Sequence, residues 1–207
     1  MKGKIGIVIL AAGDSRRLGQ PKQLLPWNQG TILEYIVNVA LALSVEPVFV
    51  VLGAEQKRIR SVLPRSVRII VNPHWPEGVA SSIREGVLTL EKLYPKSQGV
   101  LFLSCDQPLV AVGHLSKMLT LFRQSDRTIM AASYAGTVGI PVIFSRGWFP
   151  KLRQLTGDQG AKVLLTKYPD DLATMSLPEA QWDIDDWETY RQIESMVRGE
   201  GGISKRS

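Results

Sequence analysis

The sequence predicts an α/β fold: one three-layer α/β/α domain around a mostly parallel, Rossmann-like sheet with an antiparallel strand pair inserted in it. Three observations predict this. Short apolar runs rich in β-branched residues recur along the chain, as expected of strands buried on both faces. Segments of helical periodicity separate them. Two further runs, 129–134 and 140–144, follow one another across a short turn and break the alternation.

Taken in order, Ile5 to Ala11 (IGIVILA) reads as a buried strand that ends in a glycine-containing loop. Thr31 and Glu34 then make a capping-box pattern ahead of Leu33, Ile36, Val37, Ala40 and Leu41, which recur at helical spacing. Val48 to Leu52 is a second buried strand. A charged helix from about Glu55 stops before Pro64, and Val67 to Val71 is a third strand. After the irregular stretch 72–82, Ser82 and Glu85 suggest a second capping box for a helix with Ile83, Val87 and Leu90 inward.

A fourth strand, Val100 to Leu103, runs into Cys105, Asp106 and Pro108, and Leu115, Met118, Leu119 and Phe122 mark the inward face of the next helix. The strand pair Ile129 to Tyr134 and Ile140 to Phe144 turns around Ala135 to Gly139. Helices over Gly147 to Leu155 and Gly160 to Lys167, a weak strand over Ala173 to Leu177 and a last helix from Asp186 complete the pattern, with Asp185 and Glu188 as a capping pair. No linker or repeat divides the chain, so residues 1–198 form one domain and the glycine-rich tail 199–207 is expected to be disordered.

With 44% hydrophobic and 21% charged residues, 207 residues suffice for one sizeable core. The net charge of +6 fits an anionic partner, whether nucleotide, nucleic acid or acidic membrane surface. Lys57, Arg58, Arg60, Arg65 and Arg68 form a basic group without interleaved aromatics, which argues for a solvated face rather than a nucleic-acid site. The lone Cys105 excludes an internal disulfide framework, and no secretory signal stands at the start, so the cytosol is the expected compartment. No apolar run approaches the ~20 residues that span a bilayer.

Chemistry concentrates at two loops that follow strand C-termini, where ligands bind in such sheets: 12–22 and 104–108. Gly13 and Gly19 permit a sharp, close turn of the backbone, so that amide N–H groups can surround phosphate oxygens while Arg17 and Lys22 neutralise them. Neither a G-x-G-x-x-G after the first strand nor a G-x-x-x-x-G-K-S/T is present, which removes the dinucleotide and P-loop readings. His74 and His114 lack metal-ligand spacing, so zinc chemistry is excluded.

The segment L-A-A-G-x-S-x-R-x-G-x-P-K-x-L-L at 10–25 resembles the signature loop of the molybdenum cofactor guanylyl- and cytidylyltransferases. The resemblance continues through N-P-x-W-x-E-G-x-x-S-S-I-R (72–84), C-D-Q-P (105–108), G-x-P-V-I-F (139–144), G-D-x-G-A (157–161) and D-I-D (183–185). It implies the nucleotidyltransferase, glycosyltransferase-A-like version of the sheet and an enzyme that transfers CMP from CTP to molybdopterin or its molybdenum form, releasing pyrophosphate. The products would be molybdopterin cytosine dinucleotide and pyrophosphate, with Mg²⁺ as cofactor. LAAG rather than LAGG, and thus Ala12, resembles the cytidylyl branch more than the guanylyl one.

By the same resemblance Leu10, Ala11, Ala12 and Gly13, with Asn72 and Ser82, would contact the nucleotide. Arg17, Lys22 and Asp106 would act on the phosphates, and Asp106 and Asp185 would hold the metal. Two departures stand out. Asp186, Trp187 and Thr189 replace residues of the usual D-I-D-T-P-E-D-Y, and Ile140 stands where relatives carry histidine or asparagine. Trp75 could line a pterin surface, whereas Trp148, Trp182 and Trp187 read as structural. The rivals are a guanylyltransferase, a sugar-phosphate or methylerythritol-phosphate transferase, and a weakly catalytic nucleotide-binding chaperone. That chaperone would deliver cofactor to a molybdoenzyme, which is also a possible protein partner of the enzyme.

Overall fold

A computed structural model describes residues 4–158 and 160–202. A seven-stranded sheet runs in the order β5-β4-β1-β6-β8-β7-β9. Its strands are β1 (Ile5–Ala11), β4 (Val48–Leu52), β5 (Arg68–Val71), β6 (Gly99–Ser104), β7 (Ile129–Tyr134), β8 (Thr137–Ser145) and β9 (Leu172–Ser176). β1, β4, β5 and β6 are mutually parallel, and β7 is parallel to β9; β8 alone runs against its neighbours, between β6 and β7. The mostly parallel α/β/α sheet with an inserted antiparallel element is therefore the observed architecture. β2 (Pro26–Trp27) and β3 (Gly30–Thr31) form a separate small ribbon that residue pattern did not reveal, because two-residue strands carry no periodicity.

Alternation along β1 explains the layers. Ile5, Ile7, Ile9 and Ala11 face one core with α1 (Ile32–Ala42) and α4 (Val112–Gln124), whereas Val8 and Leu10 face the other. That second core is closed by α3 (Val79–Leu93), α5 (Phe149–Leu152) and α6 (Lys162–Lys167). Every β1 residue is buried, which is why the segment reads as an unbroken apolar run. A small helix, α2 (Gln56–Ile59), follows β4, and the last helix, α7 (Trp187–Gly202), packs Tyr190 and Ile193 with Leu18, Trp27 and Ile184.

Thr31 and Glu34 do form the capping box of α1. The second expected box is corrected: α3 starts at Val79 behind Gly78, so Ser82 lies inside the helix and does not cap it. The reason is a segment distant in sequence, since the Ala80 N–H donates to the Gly157 carbonyl, while the Ser81 N–H donates to the Gly78 carbonyl just ahead of the helix. At the far end, Asp186 rather than Asp185 caps α7, its Oδ1 accepting from the Thr189 N–H at 2.8 Å. The helix continues to Gly202, past the expected start of the tail at 199, and residues 203–207 of that tail lie outside the described residues. The turn between β7 and β8 is also tighter than expected, at Ala135 and Gly136.

Candidate functional site

The C-terminal ends of β1 and β6 open onto a cleft of about 510 Å³. Ser15 and Gly19 hold left-handed backbone, with φ of 55° and 66°, and between them Arg16–Leu18 make one turn of 3-10 helix. Ser15 Oγ accepts from the Lys22 backbone N–H at 3.0 Å, closing the loop on itself. Gly13 has no positive φ and nothing near the place of its missing Cβ; its contribution is an unobstructed cleft wall. The buried Gln23 secures the loop from below, its Nε2 donating to the carbonyls of Ala11 at 2.9 Å and Gly13 at 3.1 Å.

Lys22 is the hub. Its Nζ stands 2.5 Å from Asp106 Oδ2 and 2.9 Å from Asp185 Oδ1, joining the loop to residues 84 and 163 positions away in sequence. Asp185 Oδ2 is also 3.4 Å from Arg17 Nη1. Burial alone would favour neutral Lys22, but the adjacent Asp106 and Asp185 carboxylates hold the ammonium protonated, far above its ordinary range. Ser104 donates its hydroxyl to the other Asp106 oxygen, fixing that carboxylate. Cys105 beside it is buried and its thiol is pushed up to about 12, first by burial and then by the Asp106 charge, so it is an inert core group.

Of the residues expected at the site, Leu10, Ala11, Ala12, Gly13, Arg17, Lys22, Ser82, Asp106 and Asp185 all line this one cleft. Asn72 does not. It is wholly buried, with Nδ2 donating to Ser81 Oγ and Ser82 Oγ and Oδ1 accepting from the His74 N–H, so its polar groups are used within the protein. Trp75 and Ile140 line the cleft as well, whereas Trp148 is buried against Tyr168 and belongs to the core.

Several site groups were not assigned from the sequence. Gln23 stood at a variable place in the P-K-x-L-L pattern, and Asp158 lay in the recognised G-D-x-G-A segment without a role. Trp187 donates its Nε1–H to the Leu18 carbonyl at 3.2 Å, tying α7 to the basic loop. Asp183, exposed by area but with a crowded carboxyl, is pushed up to about 7, by burial first and then by the Asp106 charge. Only its place in D-I-D pointed to it.

Two carboxylates converging on a single ammonium mark a spot that suits a divalent cation. Mg²⁺ needs only one or two protein carboxylates when phosphate oxygens and waters complete its shell. Asp106 and Asp185 therefore fit that ion, although among the described residues no cluster of three or more acidic, histidine or cysteine side chains could enclose a metal alone. Among the same residues no helix is long and apolar enough to cross a membrane.

Residues 7–172 match the family described as MobA-like NTP transferase domain. The chain is 28% identical to the purine catabolism protein PucB of Bacillus subtilis, across 92% of this chain and 94% of that one. It is 31% identical to nicotine blue oxidoreductase of Paenarthrobacter nicotinovorans, across 78% and 81% of the two chains. It is 28% identical to the molybdenum cofactor cytidylyltransferase of Escherichia coli, across 69% and 70%. Among solved structures, that of Rv0371c from Mycobacterium tuberculosis in complex with manganese superposes with a TM-score of 0.76 at 28% identity, covering 92% of this chain and 98% of that one.

Proposed function

The chain belongs to the MobA-like NTP transferase family and is a nucleotidyltransferase; from that premise we propose that it transfers CMP from CTP to a molybdopterin-type acceptor. The observation that carries the reading is the meeting of Lys22 with Asp106 and Asp185 at the mouth of the LAAG loop. The similarity to the molybdenum cofactor cytidylyltransferase and Ala12 in that loop support CTP and molybdopterin.

In this reading an oxygen of the acceptor's phosphate forms a bond to the α-phosphorus in line with the departing group. The bond from that phosphorus to the β-phosphate bridging oxygen breaks, and pyrophosphate leaves with the electron pair. The acceptor phosphate is already ionised, so no strong general base is required. Lys22 and Arg17 place positive charge where negative charge accumulates, and the Gln23 and Ser15 hydrogen bonds fix the loop that carries them. Asp106 and Asp185 would hold Mg²⁺, which neutralises phosphate charge when bound, and the similarity to the manganese-bound Rv0371c supports a divalent ion. Ser82, its hydroxyl fixed by Asn72, presents a hydrogen-bonding group to the nucleoside.

The test is incubation of the purified protein with each of the four nucleoside triphosphates, Mg²⁺ and molybdopterin. Pyrophosphate and the dinucleotide product are measured together. Turnover with CTP in preference to GTP supports the reading. Pyrophosphate release with none of the four, or with GTP in preference to CTP, sinks it.

A further inference from the structure

We propose that Asp158 reads the base of the donor nucleotide, its carboxylate accepting a hydrogen bond from the exocyclic amino group. This rests on the reading of the cleft as a CTP site. The three cations lining the cleft, Arg16, Arg17 and Lys22, all belong to the basic loop. A different wall is made by Trp75, Pro76, Gly78, Val79, Ser82 and Asp158, and it carries no cation. Asp106 and Asp185 stand beside Lys22, whereas no described cation offsets the Asp158 carboxylate; it would repel a triphosphate and instead suits a part of the ligand that donates hydrogen bonds. Among the described residues Asp158 has no hydrogen-bond or ion-pair partner, which leaves both oxygens free to accept.

The wall that carries Asp158 is continuous with the LAAG loop. Trp75 packs on Gly53 so closely that a Cβ there would come within 2.5 Å of Trp75 Cβ and 2.7 Å of the Ala12 carbonyl oxygen. The Ala54 N–H donates to that same Ala12 carbonyl at 3.0 Å. A nucleoside whose phosphates lie on the loop thus extends along Trp75 toward the start of α3, and Asp158 stands there: a Cβ on Gly78 would collide with its Oδ1.

Asp158 is held in place by more than its own loop. Arg84 makes a two-pronged ion pair with Glu77, at 2.6 and 2.5 Å, and donates to the Leu155 carbonyl at 2.7 Å. The Ala80 N–H donates to the Gly157 carbonyl at 3.1 Å. These bonds join the W-x-E-G and G-D-x-G-A segments into one unit. The backbone that carries Asp158 is fixed in this way, and a carboxylate there favours an amino group and disfavours a carbonyl oxygen at the same place, which is the difference between cytosine and uracil.

The test is calorimetric binding of CTP, UTP and GTP with Mg²⁺, without acceptor, to the full chain and to Asp158→Asn and Asp158→Ala. The wild type is expected to favour CTP over UTP about tenfold or more, and both variants to lose most of that ratio. Asn does so because its amide offers either a carbonyl or an amino group. Melting curves check that the variants are folded. An unchanged ratio in both variants overturns the proposal. A wild type that favours GTP overturns the cytidylyl reading instead, and Asp158 then stands or falls on GTP against UTP in the same variants. Binding of no nucleotide overturns both.

Discussion

Asn72 donates to Ser82 across 3.0 Å beneath the cleft floor, and through that bond the end of β5 orients a hydroxyl on α3. The same Nδ2 reaches Ser81, so one buried amide serves two serines. Asn72→Leu removes these donors and leaves the His74 N–H without its acceptor. It is expected to lower stability by about 2 kcal/mol, the scale for stranding buried polar groups. It should also raise KM for the nucleotide more than it lowers kcat, because Ser82 is displaced while Lys22 is untouched. Denaturant titration and steady-state kinetics check both, and unchanged stability refutes the role.

Gln23→Leu is expected to behave differently. Gln23 holds the Ala11 and Gly13 carbonyls from inside the protein, so Leu there strands two acceptors and lets the backbone of the phosphate loop relax. The expected loss is about 2 kcal/mol of stability together with a fall in kcat, since a loop that wanders no longer holds Arg17 and Lys22 in position. A variant that melts normally and turns over at the wild-type rate overturns this assignment.

How much of this was legible in the sequence follows from where each signal resides. The β1 strand and the α1 cap were readable because burial on both faces gives an unbroken apolar run and a capping box has fixed spacing. Lys22, Asp106 and Asp185 were readable through the resemblance of their motifs, but not their meeting, which depends on sheet order and on α7 folding back. The start of α3 was misplaced because the Gly157 carbonyl, far away in sequence, satisfies the Ala80 N–H. The Asp185 cap was misplaced because Asp186 and Thr189 satisfy the capping geometry equally well. Gln23 and Trp187 act through backbone carbonyls, and such partners leave no side-chain pattern to read.

Trp187 permits a graded test of the departure from the usual D-I-D-T-P motif. Trp187→Phe keeps an aromatic ring, which in the wild type meets Tyr190 edge-on at 5.8 Å, but removes the Nε1–H that holds the Leu18 carbonyl. The bond is partly exposed, so a stability change under about 1 kcal/mol is expected. Amide exchange at Arg17 and Leu18 should accelerate, and KM for the nucleotide should rise a few-fold through a less ordered Arg17. Unchanged exchange in that turn would show that α7 does not hold the loop.

The position of Lys22 between two carboxylates makes a prediction that separates charge at the phosphates from simple structural support. The ammonium occupies the ground between Asp106 and Asp185, so a divalent ion held by these carboxylates would compete with it there. Lys22→Ala is therefore expected to bind Mn²⁺ more tightly than the wild type in the absence of nucleotide. It should nevertheless lose about a hundred- to a thousandfold in turnover, the scale for deleting one group that stabilises transition-state charge. Asp106→Ala is expected to lose turnover to a similar degree and also to lose Mn²⁺ affinity, because one of the two carboxylates is gone. Paramagnetic resonance titration of Mn²⁺ beside pyrophosphate release gives both readouts on the same samples. If both variants lose metal and activity together, Lys22 acts by shaping the metal site; if both keep near-normal rates, the chemistry lies elsewhere in the cleft.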